Sequence, residues 1–470
     1  MPNKKCLICF FFLFFLIIIG VTVICLIAKD GIKHEETYPF WQRTIVYQVY
    51  PRSFCDHDGD GTGDLQGILS KADYLKELGV GTVWLSPIFS SPMADFGYDV
   101  ANFTAIEPLF GTMEDFDALR AALHDRGLRL VLDFVPNHSS DEHEWFVKSR
   151  RKEEPYTDYY IWADPKGFDE EGQPIPPNNW LSVFRGPAWT WAEERQQFYF
   201  HQFLAKQPDL NYRNQRVREE MMVRGKSISV FEMMAVEFMS TFFAQLGNHD
   251  NGRVGSRFGE DLVDALNMLI LLLPGTPVTY YGEEIGMLNT FISWEDTQDP
   301  QACNHGLDGY EDYSRDPERT PMQWDNSTLA GFTTGNSTWL PVNDNYKELN
   351  VKAQQHAEKS HLKIYEELAR LRKEETFTKG LTAYPVISNE VFTLLRYLEG
   401  YESYLLVINT SEEELEVDLH QHANMELPPT AEVVLRSVTD TAEETVPGSE
   451  IHLSEVKLVA GEGLLLTFTE

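Results

Sequence analysis

His249 and Asp250, adjacent in FAQLGNHDNGRV (residues 243–254), put an imidazole and a carboxylate at the end of an apolar run. A parallel strand ending on such a pair presents it at one rim of the sheet, where substrates are met. Three other stretches carry chemistry of the same kind. LVLDFVPNHSS ends a second apolar run on Asp133, Asn137 and His138, and MADFGYD offers Asp95 and Tyr98 just past a third. ERTPMQW holds Arg319, either a surface charge or a cation that orients site carboxylates. Carboxylates grouped with imidazole and guanidinium suit glycoside chemistry, in which one carboxyl protonates the leaving oxygen and another attacks or steadies the anomeric carbon.

A separate acidic stretch, DHDGDGTGDLQGI (56–68), places Asp56, Asp58, Asp60 and Asp64 among glycines. Hard oxygen ligands on a flexible turn are what Ca²⁺ requires. The spacing is not that of an EF-hand, which needs a glutamate where Gly67 stands. A solvated acidic turn is the alternative. Mutual repulsion of four carboxylates favours the ion.

The elements that must hold these groups alternate strand and helix. Residues 44–51, 81–89, 128–135, about 242–248 and 276–281 read as buried strands, and Thr112 caps a helix that Gly127 ends. A βαβαβ order implies right-handed parallel crossovers. A Trp-, Pro- and Tyr-rich stretch, 138–212, interrupts the rhythm as an inserted subdomain. A long amphipathic helix is expected near 351–374, and from 377 to 470 short alternating strands predict an antiparallel β-domain.

At 470 residues and 43% hydrophobic content the chain is long enough for a large α/β domain and a smaller one. A formal charge of −34 excludes a phosphate-binding surface, so no nucleic acid partner is expected. Neutral carbohydrate is not excluded. Residues 6–28 carry no charge, and 23 residues of helix span roughly 35 Å, enough for a hydrocarbon core of ~30 Å. Lys4 and Lys5 precede this span in a five-residue cytosolic tail, which predicts a single-pass type II anchor with the remainder lumenal or extracellular. Secretion after signal cleavage is the alternative. The triplets at Asn102, Asn326, Asn336 and Asn409 are candidate glycan acceptors there. Only Cys55 and Cys303 lie outside the span, so no disulfide framework is expected.

Taken together, QVYPRSF, GVGTVWLSPIFSSP, DFGYD, LVLDFVPNHSSDEHEWF, QPDLNYRN, LGNHDNGR, LLLPGTPVTYYGEEIGM and RTPMQWD resemble the α-amylase superfamily, glycoside hydrolase family 13. The branch they look most like is the maltase-type α-glucosidases of animals, with the related heavy subunits of amino-acid transporters. The resemblance implies a (β/α)₈ barrel, a subdomain inserted after its third strand, a C-terminal β-sandwich and retaining hydrolysis of terminal α-glucosidic bonds. By position it makes Asp250 the stabiliser of the oxocarbenium-like transition state. It makes Asp95, Tyr98, His138, His249 and Arg319 the residues that hold the glucose, and Asp56–Asp64 the calcium loop. Asn137, beside His138, would lie in the cleft and not carry a glycan.

Two parts of the family's machinery have no counterpart here. Its nucleophile, in a G-F-R-x-D stretch on the fourth strand, and its acid/base glutamate on the fifth are both absent. Only 36 residues separate Asn211 from Asn248, while one strand–helix–strand unit takes about 30. Strands four to six therefore have no room between about 214 and 242, and an incomplete barrel within 29–376 is expected. Glu232 and Glu237 fall in this interval, too close to Asp250 to serve as the missing pair. The chain is thus expected to be an internally shortened, inactive relative of a membrane-anchored maltase. A non-catalytic transporter heavy subunit is the alternative, disfavoured by the short tail and by the lack of a cysteine between Cys25 and Cys55.

Overall fold

The computed structural model describes residues 40–229, 243–438 and 446–469. Among them, five short strands form one parallel sheet: β1 (Val46–Val49), β2 (Thr82–Leu85), β3 (Arg129–Leu132), β4 (Phe243–Gln245) and β5 (Thr276–Tyr280), in the order β4-β5-β1-β2-β3. All five lie within stretches the sequence marks as strands. β1 and β5 are buried at every position, as parallel strands covered on both faces must be. Among the described residues β3 and β4 stand at the two ends of this sheet, and no strand bridges them. The chain between them supplies the inserted subdomain and a helix, α2 below. Glu232 and Glu237 lie outside the described residues, as does the predicted span 6–28. No described helix is long and apolar enough to cross a membrane.

Local signals set the helices that flank the sheet. Helix α1 (Met113–Asp125) begins at a reciprocal capping box between Thr112 and Asp115, and Gly127 leaves it at φ +74°. Phe116, Leu119 and Leu123 are its buried stripe. Helix α2 (Gln215–Ser229) buries Val217 and Met221 against Val135, Trp145 and Leu210. The insert is built on a three-stranded antiparallel sheet, Trp162–Ala163, Gln197–Phe200 and Trp189–Ala192, and is tied back through the bridges His138–Asp209 and Tyr160–Leu210.

Helix α3 (Val263–Leu272) follows β4. The long helix expected near 351–374 is instead two: Val351–His356 and α4 (His361–Leu371). The break is chemical, because Ala357 is extended and the Ser360 hydroxyl caps α4 by accepting from the Lys363 amide. Buried residues of α3 and α4 pack with Leu394, Leu406 and Leu465 of the C-terminal sheet in one core. That sheet has six antiparallel strands, among them β6 (Val391–Tyr397), β7 (Ser403–Asn409) and β8 (Gly463–Phe468). Alternation sends Leu406 and Ile408 toward the helices, and Leu405 and Val407 to a second core closed by the pair Leu415–Val417 and Val456–Leu458.

The glycan triplets divide by burial. Asn102, Asn326 and Asn336 are exposed. Asn409 is not a usable acceptor, contrary to the sequence reading: it is fully buried, and its Nδ2 donates to the carbonyls of Glu413 and Val459 (2.8 Å each).

Candidate active site

Four of the five strands deliver polar groups at or beyond their carboxyl ends. β1 brings Gln48 and then Tyr50, the segment after β2 brings Asp95 and Tyr98, β3 brings Asp133 and His138, and β4 brings His249 and Asp250. A buried carboxylate shapes the Asp95 turn. Asp99 accepts from Ser91 Oγ and from the amides of Ala94 and Asp95, 2.9 Å each, while Gly97 takes φ +105° where a Cβ would come within 2.9 Å of the Pro87 carbonyl oxygen. Asn248 plays the same part for the second turn, its Oδ1 accepting from the Asp250 amide (2.8 Å) and from Asn251 Nδ2 (3.0 Å).

His249 lies between two aromatic rings, Tyr50 at 5.7 Å and Tyr98 at 5.3 Å, both nearly parallel to it. Its Nδ1 meets Gln48 Nε2 (2.9 Å), its Nε2 meets Tyr98 Oη (2.8 Å), and Tyr98 Oη donates to Asp133 Oδ2 (3.0 Å). Burial pushes His249 down to about 4 against the pull of Asp250, so the ring is neutral at pH 7. His138 is likewise neutral: burial lowers it to about 4. Its Nδ1 accepts from Asn137 Nδ2 (3.0 Å) and its Nε2 donates to the Tyr98 carbonyl (3.0 Å). Asn137 is thereby engaged inside the site, as the sequence reading expects.

The charged part of the site is a mesh of aspartates and arginines. Arg319 is not a surface charge but buried at 1% exposure; its Nη2 donates to Asp250 Oδ1 (2.7 Å) and its Nε to the His249 carbonyl (2.5 Å). Arg315 reaches Asp299, Asp95 (3.2 Å) and Asp250 (3.1 Å) together. Asp95 also accepts from Gln207 (3.0 Å); burial pushes its carboxyl up to about 6 although both arginines oppose this. Burial works against charge on Asp250 as well, but His249, Arg319 and Arg315 outweigh it and hold that carboxyl below its ordinary value.

Asp95, Tyr98, His138, His249, Asp250 and Arg319 therefore share one site, as the sequence places them. Arg315, Asp299, Gln207, Gln48 and Tyr50 were not singled out. Arg315 stands four residues before Arg319, one 3₁₀ turn away on the same segment, Asp316–Glu318. Two arginines at that spacing, just ahead of Trp324, were the available signal. In the acidic loop, Asp56, Asp58 and Asp64 bring carboxylate oxygens within 4.8 Å of one another, whereas Asp60 is not part of that group. Asp60 turns outward, its Oδ1 accepting from the Thr62 amide.

A parallel sheet with substrate-type groups at its carboxyl rim, an insert after β3 and a C-terminal antiparallel sheet define an α-amylase-like glycosidase architecture. The chain belongs to the α-amylase family: residues 48–229 and 225–380 match its catalytic domain. It is similar to Maltase 1 of Drosophila virilis, 38% identical over 557 residues that cover 92% of this chain and 87% of the relative. It is also similar to the amino acid transporter heavy chain SLC3A1 of Rattus norvegicus, 32% identical, covering 96% of this chain and 81% of that one. Among solved structures, the isomaltulose synthase SmuA from Protaminobacter rubrum superposes with a TM-score of 0.78 at 28% identity, covering 92% of this chain and 100% of that one. The alignment to Maltase 1 is longer than this chain's 470 residues, so the relative has stretches without a counterpart here. The two family matches meet at 225–229, between β3 and β4.

Proposed function

We infer that this chain is a maltase-like α-glucosidase relative that holds the non-reducing glucose of an α-glucoside but does not perform the family's retaining hydrolysis. The commitment of the site's carboxylates carries this reading. Retaining hydrolysis needs two carboxyl groups ~5–5.5 Å apart, one free to attack and one to donate a proton. Asp95 and Asp299 are bound to Arg315, and Asp133 holds the Tyr98 hydroxyl, while Asp250 is paired with two arginines. The same groups suit sugar hydroxyls: Asp95 and Asp250 stand side by side on Arg315, with His138 and Tyr98 beside them. Maltose binding by calorimetry and glucose release are the two measurements. Binding without release is expected, and glucose release at a rate near that of a full maltase would sink the reading.

The similarity to SLC3A1 over nearly the whole chain favours a second reading, a heavy subunit for a multi-span transporter. Co-purification of such a partner at fixed stoichiometry tests it. Under either reading residues 6–28 form a type II anchor, tested by resistance to alkaline extraction. Asp56, Asp58 and Asp64 are suited to a structural Ca²⁺, to which three converging carboxylates would contribute charge.

A further inference from the structure

We propose that Asp133 is a positioning residue for the sugar site: acting through Tyr98, it fixes which nitrogen of His249 carries the proton. The inference rests on the glucoside-binding reading of the same site.

Four hydrogen bonds run in series through the rim of the sheet. Gln245 Nε2 donates to Gln48 Oε1 (3.1 Å), and Gln48 Nε2 lies 2.9 Å from His249 Nδ1. His249 Nε2 lies 2.8 Å from Tyr98 Oη, and Tyr98 donates to Asp133 Oδ2 at 3.0 Å. Nearly every member can serve in either direction. A glutamine amide can turn over, a phenol can donate or accept, and a neutral imidazole has two tautomers. An ionised carboxylate can only accept, so Asp133, as the terminal member, gives the series its direction, and Asp250 beside Nε2 favours the same sense. It takes the Tyr98 proton, which leaves Oη to accept from His249. The imidazole must then be the Nε2–H tautomer, with Nδ1 accepting from Gln48. Tyr50 and Tyr98 pack nearly parallel to the imidazole and both its nitrogens are engaged, so the ring is held in place and its proton is what can move.

The tautomer matters to Asp250. His249 Nε2 lies 3.5 Å from Asp250 Oδ2. As N–H it attracts that carboxylate, and as a bare lone pair it repels it. The charge on Asp133 is thus felt at Asp250 through two intervening side chains. The other charges facing His249 are Arg319, whose Nε binds its carbonyl, and Arg315. Asp133 itself faces Tyr98, the Phe134 amide and Asp250; burial pushes it up to about 6, within reach of mild acid. Protonation frees the Tyr98 proton, and the series loses its fixed direction. Asp95 titrates in the same range, so a pH effect on binding alone would not single out Asp133.

The test is therefore read first on the imidazole of the full chain without sugar, by ¹⁵N spectroscopy of ring-labelled histidine. The wild type at pH 8 is expected to show His249 as a single Nε2–H tautomer. Mixed tautomers are expected at pH 5, and at pH 8 in D133N and Y98F, with D133E restoring the single form. A Nδ1–H ring at pH 8, or D133N indistinguishable from the wild type, overturns the proposal. Maltose affinity is the second readout. D133N should bind about ten-fold more weakly than wild type at pH 8, the ratio closing to within about two-fold at pH 5, where Asp133 of the wild type is itself protonated; Asp95 affects both proteins alike and cancels. A ratio constant with pH also overturns it. If maltose binds at no pH while the tautomer result holds, the glucoside-binding reading falls and the role of Asp133 stands.

Discussion

Arg315 closes on Asp299 with two hydrogen bonds, Nη2 to Oδ1 at 2.6 Å and Nε to Oδ2 at 2.9 Å, around a carboxylate whose side chain has no solvent exposure. The same Nη2 lies 3.2 Å from Asp95, and Nη1 lies 3.1 Å from Asp250. Burial works against the Arg315 charge, but Asp299, Asp95 and Asp250 more than offset it. One guanidinium thus ties the loop before α-helical residues Pro300–His305 to the turns after β2 and β4. Planar, forked geometry is what permits three carboxylates to share it.

Removing Arg315 should therefore cost far more than a surface ion pair. R315A leaves the buried Asp299 carboxylate without its cation, held only by the amides of Gln301 and residue 315, a loss of about 3–5 kcal/mol by the behaviour of buried pairs. R315K keeps the charge but not the fork, and should fall between wild type and R315A. The double variant R315M/D299N removes both charges and should be more stable than R315A. Urea midpoints for the four proteins check this, and a double variant no more stable than R315A would refute the assignment.

A second buried pair joins α3 to α4. His361 Nδ1 lies 2.7 Å from Asp264 Oδ1, while Asp264 Oδ2 accepts from the Val438 amide (2.8 Å). Burial lowers the His361 pKa, but Asp264 and Glu260 outweigh it and the net shift is upward. A group raised on folding stabilises fully below its unfolded value, ~6.5, and that contribution is lost as pH rises through the folded value. H361Q should thus be less stable than wild type at pH 6, by about 1.5–3 kcal/mol for a charge-assisted bond, and the gap should narrow toward pH 9. A gap that widens with pH would reverse the sign and exclude this pairing as the source.

Much of this arrangement is legible in the residue order. An apolar run that ends on a polar pair, as LVLD…NH and AQLGNHD do, fixes both a parallel strand and the rim on which the pair appears. That is why all five strands and the site residues that follow them could be placed, while Arg319, which stands at no strand end, was placed by the resemblance of RTPMQWD. Asn137 was legible for the same reason. Arg315 and Asp299 were not, because their partners lie on other segments and neither stands at a strand end; only the fold brings them to Asp95. Asn409 reads as a glycan triplet, yet it faces inward at the end of β7, and a three-residue motif carries no information on burial. Asp60 stands outside the three carboxylates that converge in the acidic loop, because every second position in a turn does not point the same way, unlike a strand. The break at 357–360 was obscured by apolar spacing that continues in phase across it, although Ser360 was a visible cap.

β7 gives a sharp test of the two-faced C-terminal sheet. Leu406 is fully buried toward α3 and α4, and Leu405 is fully buried toward the opposite core. L406A and L405A should each cost about 2–5 kcal/mol. L381A, at a position 62% exposed on the edge strand Leu381–Ala383, should stay within about 0.5 kcal/mol of wild type. A neutral L406A would mean that this sheet does not share the core of α3 and α4.

The acidic loop should respond to calcium through a subset of its aspartates. Asp64 has a structural duty independent of any ion: its Oδ1 accepts from the Gly67 amide as the cap of Leu65–Ser70, and its Oδ2 from the His57 amide. Asp56 likewise accepts from the amides of Gly59 and Gly61, 2.7 Å each. D64A and D56A should therefore destabilise the protein even in chelator, by about 0.5–2 kcal/mol for a lost cap. Asp58 is exposed and bonds only the Asp60 amide, so D58N should unfold like wild type in chelator. It differs when Ca²⁺ is added. Wild type should gain about 2.7 kcal/mol at a hundred times the dissociation constant, D58N markedly less, and D60N the same as wild type. Unfolding midpoints in EGTA and across a Ca²⁺ series decide it; equal calcium responses in wild type and D58N would leave the loop a hydrogen-bonded turn that needs no ion.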